Sequence, residues 1–446
     1  MKRYNHRYIL LLAIVICWFT NRATAQQNTQ PINLETVLKR AGANNLTIQE
    51  YKQRQELALA DLAKAKEWWL PDIYAGITTH QLWGNAMNSD GVIFTDVNRN
   101  NLWTGFGLNV TWDFGDGIYK AKAAELNAQS SVYQTQAEQN KALLSVINAY
   151  YDFLAAQLYY KAYQQLSAQA DTIVGQIAVQ VEAGLRYESE LLLAKSNASH
   201  LKVEMLNAKK QYNSISATLV KLLNLDPTTK LAGMDTLLAP LELVSTDNLN
   251  ASFDSVYQNR PEIKGMELSL QSLNMEKKTT TAGLLLPEIS IGTYSAVFGD
   301  VIAPIDVREP NGNNFAPTTA INAALLWKIP IGRLTYGGTL KQYNARISLQ
   351  ENRLAQTKAQ VNEEVLSAKQ EVIAAKEQME IAQEGSKLAE EALTQSIQRQ
   401  QLGTVRPFEI LQAQEIYIQS RLDYLKAVAS YNKAQYACYV AVGNSL

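Results

Sequence analysis

The sequence predicts a mainly α-helical protein with a β-sheet portion suited to a membrane. It reads as two copies of one unit, helix–strand–strand–long helix–helix. Three observations predict this. First, residues 117–183 and 334–402 keep helical spacing without a proline. In the first stretch Ile118, Ala121, Glu125, Ala128 and Val132 recur at steps of three and four, as do Val146, Tyr150, Phe153 and Gln157. At roughly 1.5 Å per residue each stretch would run on the order of 100 Å, whereas helices of globular domains average about 11–12 residues. Second, ahead of each long helix the apolar period switches from 3.6 to 2. Third, the pattern recurs: Leu70-Pro71-Asp72-Ile73 returns as Leu286-Pro287-Glu288-Ile289, 216 residues later.

The chain opens with a secretory signal, residues 1–25. Lys2, Arg3 and Arg7 form its basic start, residues 9–19 its apolar stretch and Ala23-Thr24-Ala25 its cleavage site. Cys17 falls inside this segment, so cleavage at Gln26 leaves only Cys438 and no internal disulfide. The first repeat spans 26–226. Residues 33–69 read as a helix, possible to dent at Gly42, which Pro71 stops. Strands are expected at about 72–83 and 101–113, close to the 9–11 residues a tilted membrane strand needs. In them Ile73, Ala75 and Ile77 alternate with Tyr74, Gly76 and Thr78, and Phe106, Leu108, Val110 and Trp112 alternate with Gly105, Gly107, Asn109 and Thr111. Residues 84–100 read as a loop. The long helix, 117–183, ends at Gly184, a residue suited to a helix cap.

A helix over 188–223 follows, with the seam Leu191, Ala194, Ala198, Leu201, Met205, Ala208, Tyr212, Ile215, Leu219 and Leu222. Such a seam means helix packed on helix in coiled-coil style. Residues 227–252 read as a linker or small irregular segment. The second repeat spans 253–446. It has a helix opening at Asn259-Arg260-Pro261-Glu262-Ile263, strands at about 288–298 and 320–329, a loop at 299–318, a long helix at 334–402 and a last helix at 407–442. Two adjacent seams on the last helix suit a neighbour on each side, as in the wall of a tube.

Composition narrows the function. The formal charge of −1 becomes −5 without Lys2, Arg3, Arg7 and Arg22 of the signal, so no basic field for nucleic acid remains. No run of about 18 apolar residues follows the signal, so no spanning helix is expected. The mature chain has two histidines, His80 and His200, far apart in sequence, and no metal-ligand, nucleophile or phosphate-loop pattern. His80 reads as a lumen-facing strand residue and His200 as a helix-surface residue. No enzyme activity, cofactor, metal or catalytic residue is expected.

Four strands cannot span a membrane alone. Their edges would leave backbone groups unpaired in lipid at several kcal/mol each. Several chains must therefore contribute to one barrel. Tryptophans Trp68, Trp69, Trp83, Trp103, Trp112 and Trp327 all lie in or beside the strands, as membrane-interface aromatics do. The competing account, core tryptophans of a soluble sandwich, leaves the long helices unexplained.

The order and spacing of these parts resemble the TolC family of outer-membrane efflux proteins over nearly all of the mature chain. The features that carry the resemblance are the signal, the twice-repeated unit, the Leu-Pro-Asp-Ile and Leu-Pro-Glu-Ile segments, Asn259 to Ile263, and the glycine turns at Gly184 and Gly403. The resemblance implies a homotrimer with a 12-stranded barrel in the outer membrane of a Gram-negative-type bacterium. A long α-helical coiled-coil tunnel would hang into the periplasm. There it would meet a periplasmic adaptor, or membrane fusion protein, and an inner-membrane transporter of RND, ABC or MFS type. The implied function is the exit duct for small molecules or polypeptides in tripartite multidrug efflux or type I secretion. The alternative is a structural coiled-coil protein of the envelope, which would form no pore and need no detergent.

Two turns are the expected adaptor-docking sites. One holds Gly184, Leu185 and Tyr187; the other holds Gly403, Thr404, Val405, Pro407 and Phe408. Exposed apolar residues in such turns mark contact surfaces. Beside them, Glu190 and Glu409 are candidates for an entrance gate, with Arg186 and Arg406 as their partners. The resemblance places an acidic ring at the position of Glu409, while Gln412 stands where a second family acid is expected. Helix-start chemistry also accounts for Glu409, which follows Pro407 in a first turn and suits the helix dipole.

Overall fold

In the computed structural model of the chain, residues 29–88, 90–235, 238–244, 253–300, 315–402 and 407–446 are described. The expected signal, 1–25, lies outside them, as do 301–314 of the expected loop and 245–252 of the expected linker. The elements in chain order are β1 (Thr29–Ile32), α1 (Leu34–Asn44), α2 (Leu46–Lys66), β2 (Asp72–Met87), β3 (Ile93–Asp113), α3 (Phe114–Glu182) and α4 (Glu188–Leu222). Then come β4 (Lys230–Gly233), α5 (Phe253–Asn259), α6 (Pro261–Lys278), β5 (Glu288–Asp300), β6 (Phe315–Leu326), α7 (Ile331–Tyr336), α8 (Gly338–Gln401) and α9 (Pro407–Ala441). The 69 residues of α3 and the 64 of α8 are single helices, in which Gly175 and Gly385 cause no break. No described helix is long and apolar enough to cross a membrane.

The chain forms two units, each drawn from both halves of the sequence. The first holds the described residues up to Glu50 with Ala137–Arg260 and Gln360–Leu446. Its core gathers Ile32, Val37 and Ala41 with Val146, Ile147, Tyr150 and Phe153 of α3. Leu219 and Leu223, Val372 and Ala375 of α8, and Leu425, Val428, Tyr431 and Cys438 of α9 complete it. Only the end of the α4 seam reaches this core; Ala194, Ala198 and Leu201 are buried in two smaller clusters. Arg260, at the end of α5, is buried, bonds the Val440 carbonyl at 3.3 Å and pairs with Glu364.

The second unit, Tyr51–Gln136 and Pro261–Ala359, holds the membrane-type sheet. Its strands run β2-β3-β5-β6, every neighbouring pair antiparallel. The register separates two faces. Ile73, Ala75 and Ile77 align with Leu108, Phe106 and Thr104, then with Thr293, Ser295 and Val297, and with Ile321, Thr319 and Pro317. Trp112 and Ile289 extend this apolar face, on which Ile73, Ile77, Phe106 and Ile321 are 63–78% exposed. Asp72, Tyr74, Gly76 and Thr78 align with Asn109, Gly107, Gly105 and Trp103 on the other, more polar face. Alternation of this kind is that of a sheet with lipid on one side and a wet interior on the other.

The structure departs from the expected elements in five places. The helix expected over 33–69 breaks at Asn45, not at Gly42, because the Asn45 side chain accepts the Thr47 and Ile48 amides and donates to the Leu222 carbonyl. Residues 84–100 are mostly strand: β2 and β3 pair past a bulge at Gly84 to a tight turn, where Asn88 Oδ1 accepts the Asp90 and Val92 amides. Polar residues there still carry a backbone ladder. The expected linker contains β4, which pairs in parallel with β1; neither strand was expected. β6 covers Phe315–Leu326, so the segment expected at 320–329 is shifted and Trp327 lies just beyond it. The helix expected over 334–402 is divided by Gly337, whose φ is 60°.

The tryptophans also divide. Trp69, Trp83 and Trp327 are 57–66% exposed, and Trp112 donates to the Trp69 carbonyl at 2.7 Å. Trp68 instead is partly buried, edge-on to Phe114 and over Gly117. Trp103 lies on the polar face, since it is an odd number of residues from Trp112. The six expected membrane-interface aromatics thus do not share one environment. The side chain of His80 lies outside the described residues.

Candidate functional site

The first hairpin turn follows from where α3 can stop. Gly184 takes a φ of 73°, which favours glycine. Its amide bonds the Val181 carbonyl and the Leu185 amide bonds the Gln180 carbonyl, both at 2.9 Å. These are the two bonds of a Schellman cap. The chain then turns into α4, where Tyr187 precedes the first helical residue and its carbonyl accepts the Glu190 amide at 3.0 Å.

Across this turn Arg186 acts as a clamp. Its Nε donates to Gln180 Oε1 at 2.5 Å, and its guanidinium lies 3.6 Å from Glu190 Oε2. The Arg186 side chain is only 9% exposed and that of Glu190 24%. The clamp thus joins the last turn of α3 to the first turn of α4. On either side of it Leu185 and Tyr187 are 77% and 80% exposed. The turn presents Leu185 and Tyr187 outward and holds Arg186 against Gln180 and Glu190, while Glu182 and Glu188 stay exposed.

The second turn is described only at its ends. Gly403, Thr404, Val405 and Arg406 lie outside the described residues. Leu402 and Phe408 flank the turn at 77% and 65% exposure, and α9 starts at Pro407, whose side chain is also outside them. Glu409 pairs with Arg399 on α8 at 3.8 Å. Both side chains of that pair are more than half exposed, so its contribution is small. Sequence reasoning missed Arg399, since it looked only within the turn. His200, by contrast, sits exposed on α4.

Inside the helices next to the turns, Ile173 and Ile177 of α3, Ala194 of α4 and Ile410 of α9 form a small apolar cluster. Beside it are buried amides that sequence reasoning also missed. Asn197 donates to Gln414 Oε1 at 3.1 Å, and Gln400 is fully buried. Neither amide atom of Gln400, nor Gln414 Nε2, has a hydrogen-bond partner among the described residues. Among the described residues no group of three or more His, Cys, Asp or Glu is placed to hold a metal.

With this geometry in hand, known proteins give the context. Residues 37–225 match the family model described as outer membrane efflux protein. Among curated proteins no relative of the sequence is found. Among solved structures, the CmeC outer membrane channel of Campylobacter jejuni superposes with a TM-score of 0.73 at 16% identity, over 92% of this chain and 85% of that one. The outer membrane protein VceC of Vibrio cholerae gives 0.71 at 14% identity, over 92% and 96%. The open-state MtrE outer membrane channel of Neisseria gonorrhoeae gives 0.70 at 15%, over 92% and 88%. The fold is therefore that of the TolC-like outer-membrane channels, and the first repeat carries the sequence pattern of the efflux family.

Proposed function

We propose that this chain is an outer membrane efflux protein that assembles as a homotrimer and serves as the exit duct of a tripartite efflux or type I secretion system. One observation carries the reading. The sheet has an apolar and a polar face, and its outer strands β2 and β6 have no further strand partner among the described residues. Such edges are not tolerated in lipid. Because the four strands alternate in direction, β6 of one copy can meet β2 of the next in antiparallel fashion, so any number of copies closes. Two copies give eight strands, an interior that side chains fill, whereas three give twelve and leave a lumen. The repeats, taken as 26–226 and 253–446 about the segment 227–252, supply two strands each.

In this reading the sheet lies in the outer membrane and the helices reach into the periplasm. The turns at Gly184 and Gly403 receive a periplasmic adaptor, which links the duct to an inner-membrane transporter of RND, ABC or MFS type. Leu185, Tyr187 and Phe408 form the apolar contacts. A threefold axis gathers three copies of Glu409 and of Glu190 at the mouth. Arg186 pairs with Glu190 and Arg399 with Glu409 within each copy; Glu409, half exposed where Glu190 is a quarter exposed, is the more open charge to draw cations. No catalytic role enters.

Extraction and reconstitution test the proposal. The protein should require detergent, form a trimer by native mass spectrometry and open pores in planar bilayers. A stable monomer or dimer overturns the trimer. A rod that stays soluble without detergent and gives no pore supports the coiled-coil envelope protein instead.

A further inference from the structure

Within the first unit, α3, α8, α9 and the extended segment at Leu238–Pro240 enclose a cleft of about 630 Å³. Small-molecule sites usually fall at roughly 300–1,000 Å³. The extended wall is fixed in place. Asn432 of α9 accepts the Leu241 amide and donates to the Ala239 carbonyl, each at 2.8 Å, and Leu238 is only 7% exposed. Leu158, Leu425 and the rings of Tyr417 and Tyr424 supply the rest of an apolar lining.

Charge in the cleft points to the ligand. Lys161 enters from α3, Lys387 from α8 and Arg421 from α9, against one carboxylate, Glu390. The cleft therefore holds a surplus of two positive charges. None of the four makes an ion pair among the described residues. Elsewhere on the same helices such charges do meet, as Lys433 with Asp152 and Arg399 with Glu409. Burial pushes the Tyr417 hydroxyl up, Glu390 pushes it further and Arg421 draws it back, so both charges lie near that ring.

Ordinary hydration accounts for the exposed Lys161 and Lys387. It accounts less well for Arg421, which is partly buried, and for Ser386, which also lines the cleft. Ser386 is 4% exposed and makes no hydrogen bond among the described residues. Buried hydroxyls are normally satisfied. A planar guanidinium, two ammonium groups and a free hydroxyl suit the oxygens of a phosphate.

We propose that the cleft binds a small soluble phosphate monoester carried on an apolar or aromatic body. Arg421, Lys387 and Lys161 supply the opposing charge, Ser386 is the hydroxyl donor, and the tyrosine rings and leucines meet the body. A dianion matches the surplus charge. The lining comes wholly from the helical unit, which holds none of the membrane-type sheet, and this favours a soluble ligand over a bilayer lipid. The cleft is built within one chain, so the inference stands apart from how copies close the barrel.

The test titrates phenyl phosphate by isothermal calorimetry into the full-length protein in dodecyl maltoside, at pH 8, where a phosphate monoester is mostly a dianion. One site per chain is expected. Arg421→Gln should raise the dissociation constant about tenfold, the loss of a hydrogen bond to a charged group. Lys387→Gln should raise it about threefold, since that lysine is exposed. Glu390→Gln should lower it about threefold, because the one repelling charge is gone. A merely structural role for these residues would not tighten binding. Inorganic phosphate should bind roughly tenfold more weakly than phenyl phosphate, and phenol should not compete. No saturation by about 10 mM phenyl phosphate overturns the site. Equal affinity for inorganic phosphate overturns the apolar half of the ligand. Tighter binding of dihexanoyl phosphatidate assigns the cleft to lipid and overturns the soluble ligand. Should Arg421→Gln fail to assemble, Lys387→Gln and Glu390→Gln decide: they must shift affinity in opposite directions, and any other result overturns the proposal.

Discussion

Replacing Arg186 with alanine tests how much the first hairpin turn owes to its charge clamp. The substitution removes the 2.5 Å bond to Gln180 Oε1 and the 3.6 Å contact with Glu190. A hydrogen bond to a charged group is worth about 1.5–3 kcal/mol. The ion pair adds less than about 1 kcal/mol, since Glu190 is still a quarter exposed. Water returning to Gln180 offsets part of the loss, which leaves about 2 kcal/mol, or roughly 30-fold in the equilibrium for opening the turn. Native-state hydrogen exchange reads that equilibrium directly. The amides of Gly184, Leu185 and Glu190, bonded to Val181, Gln180 and Tyr187, should exchange about 30-fold faster in the variant. The amide of Phe153, in the buried core, should not change. Exchange at the three turn amides within twofold of wild type would refute the reasoning. The Schellman bonds alone would then hold the turn. Arg186→Lys, which keeps the charge without the planar fork, should fall between the two.

Introducing Leu185→Glu together with Phe408→Glu should abolish cross-linking to the adaptor while leaving trimer in the membrane; unchanged cross-linking counts against docking at these turns. Glu409→Gln should weaken cation selectivity and block by multivalent cations in planar bilayers, and Arg406→Ala should raise closed-state conductance. If both variants conduct as wild type does, these charges only start helices. Gly107→Val should reduce trimer in the outer-membrane fraction at least tenfold, because the new side chain takes the space of the Tyr74 ring; wild-type levels would show that the ring moves aside freely. Burial lifts the Tyr159 hydroxyl to about 12, and burial followed by the bond to Asp235 lifts Tyr150 further still. A raised folded pKa means stability that is complete below the ordinary tyrosine value, about 10, and lost as pH rises through the folded one. Tyrosinate absorbance of these buried residues should therefore appear only as helical circular dichroism is lost above about pH 10; full titration with helices intact would disprove it.

The local grammar of the chain was legible in advance. Long helices are written in a period of 3.6 without proline, membrane strands in a period of 2, and the stop of α3 in a glycine at 184. The doubling of the unit, read from Leu-Pro-Asp-Ile and Leu-Pro-Glu-Ile, pointed to a sheet of four strands that one chain cannot close. These features depend on neighbours a few residues away, so composition and spacing carry them.

What only the tertiary structure decided lies between distant residues. The segment after α4 looked irregular, yet Lys230–Gly233 finds a parallel partner in Thr29–Ile32, and Gln157 bonds both the amide and the carbonyl of Gly233. Asn432 holds Leu241 and Ala239, and Gln435 holds Val244, across more than 190 residues. Each is a buried amide at a position where spacing predicts an apolar residue, and each is satisfied by backbone that no local pattern supplies. Strand length past Gly84 was hidden for a related reason: a ladder is held by backbone bonds, which polar side chains do not reveal. The face taken by Trp103 and the contact of Arg399 with Glu409 were settled the same way, by register and by the approach of one helix to another. Sequence determined the long helices, the paired strands ahead of them and the stop at Gly184, because those choices are made within a few residues. The folded chain determined which polar groups meet, because hydrogen bonds and ion pairs form between whatever the fold brings within about 3–4 Å.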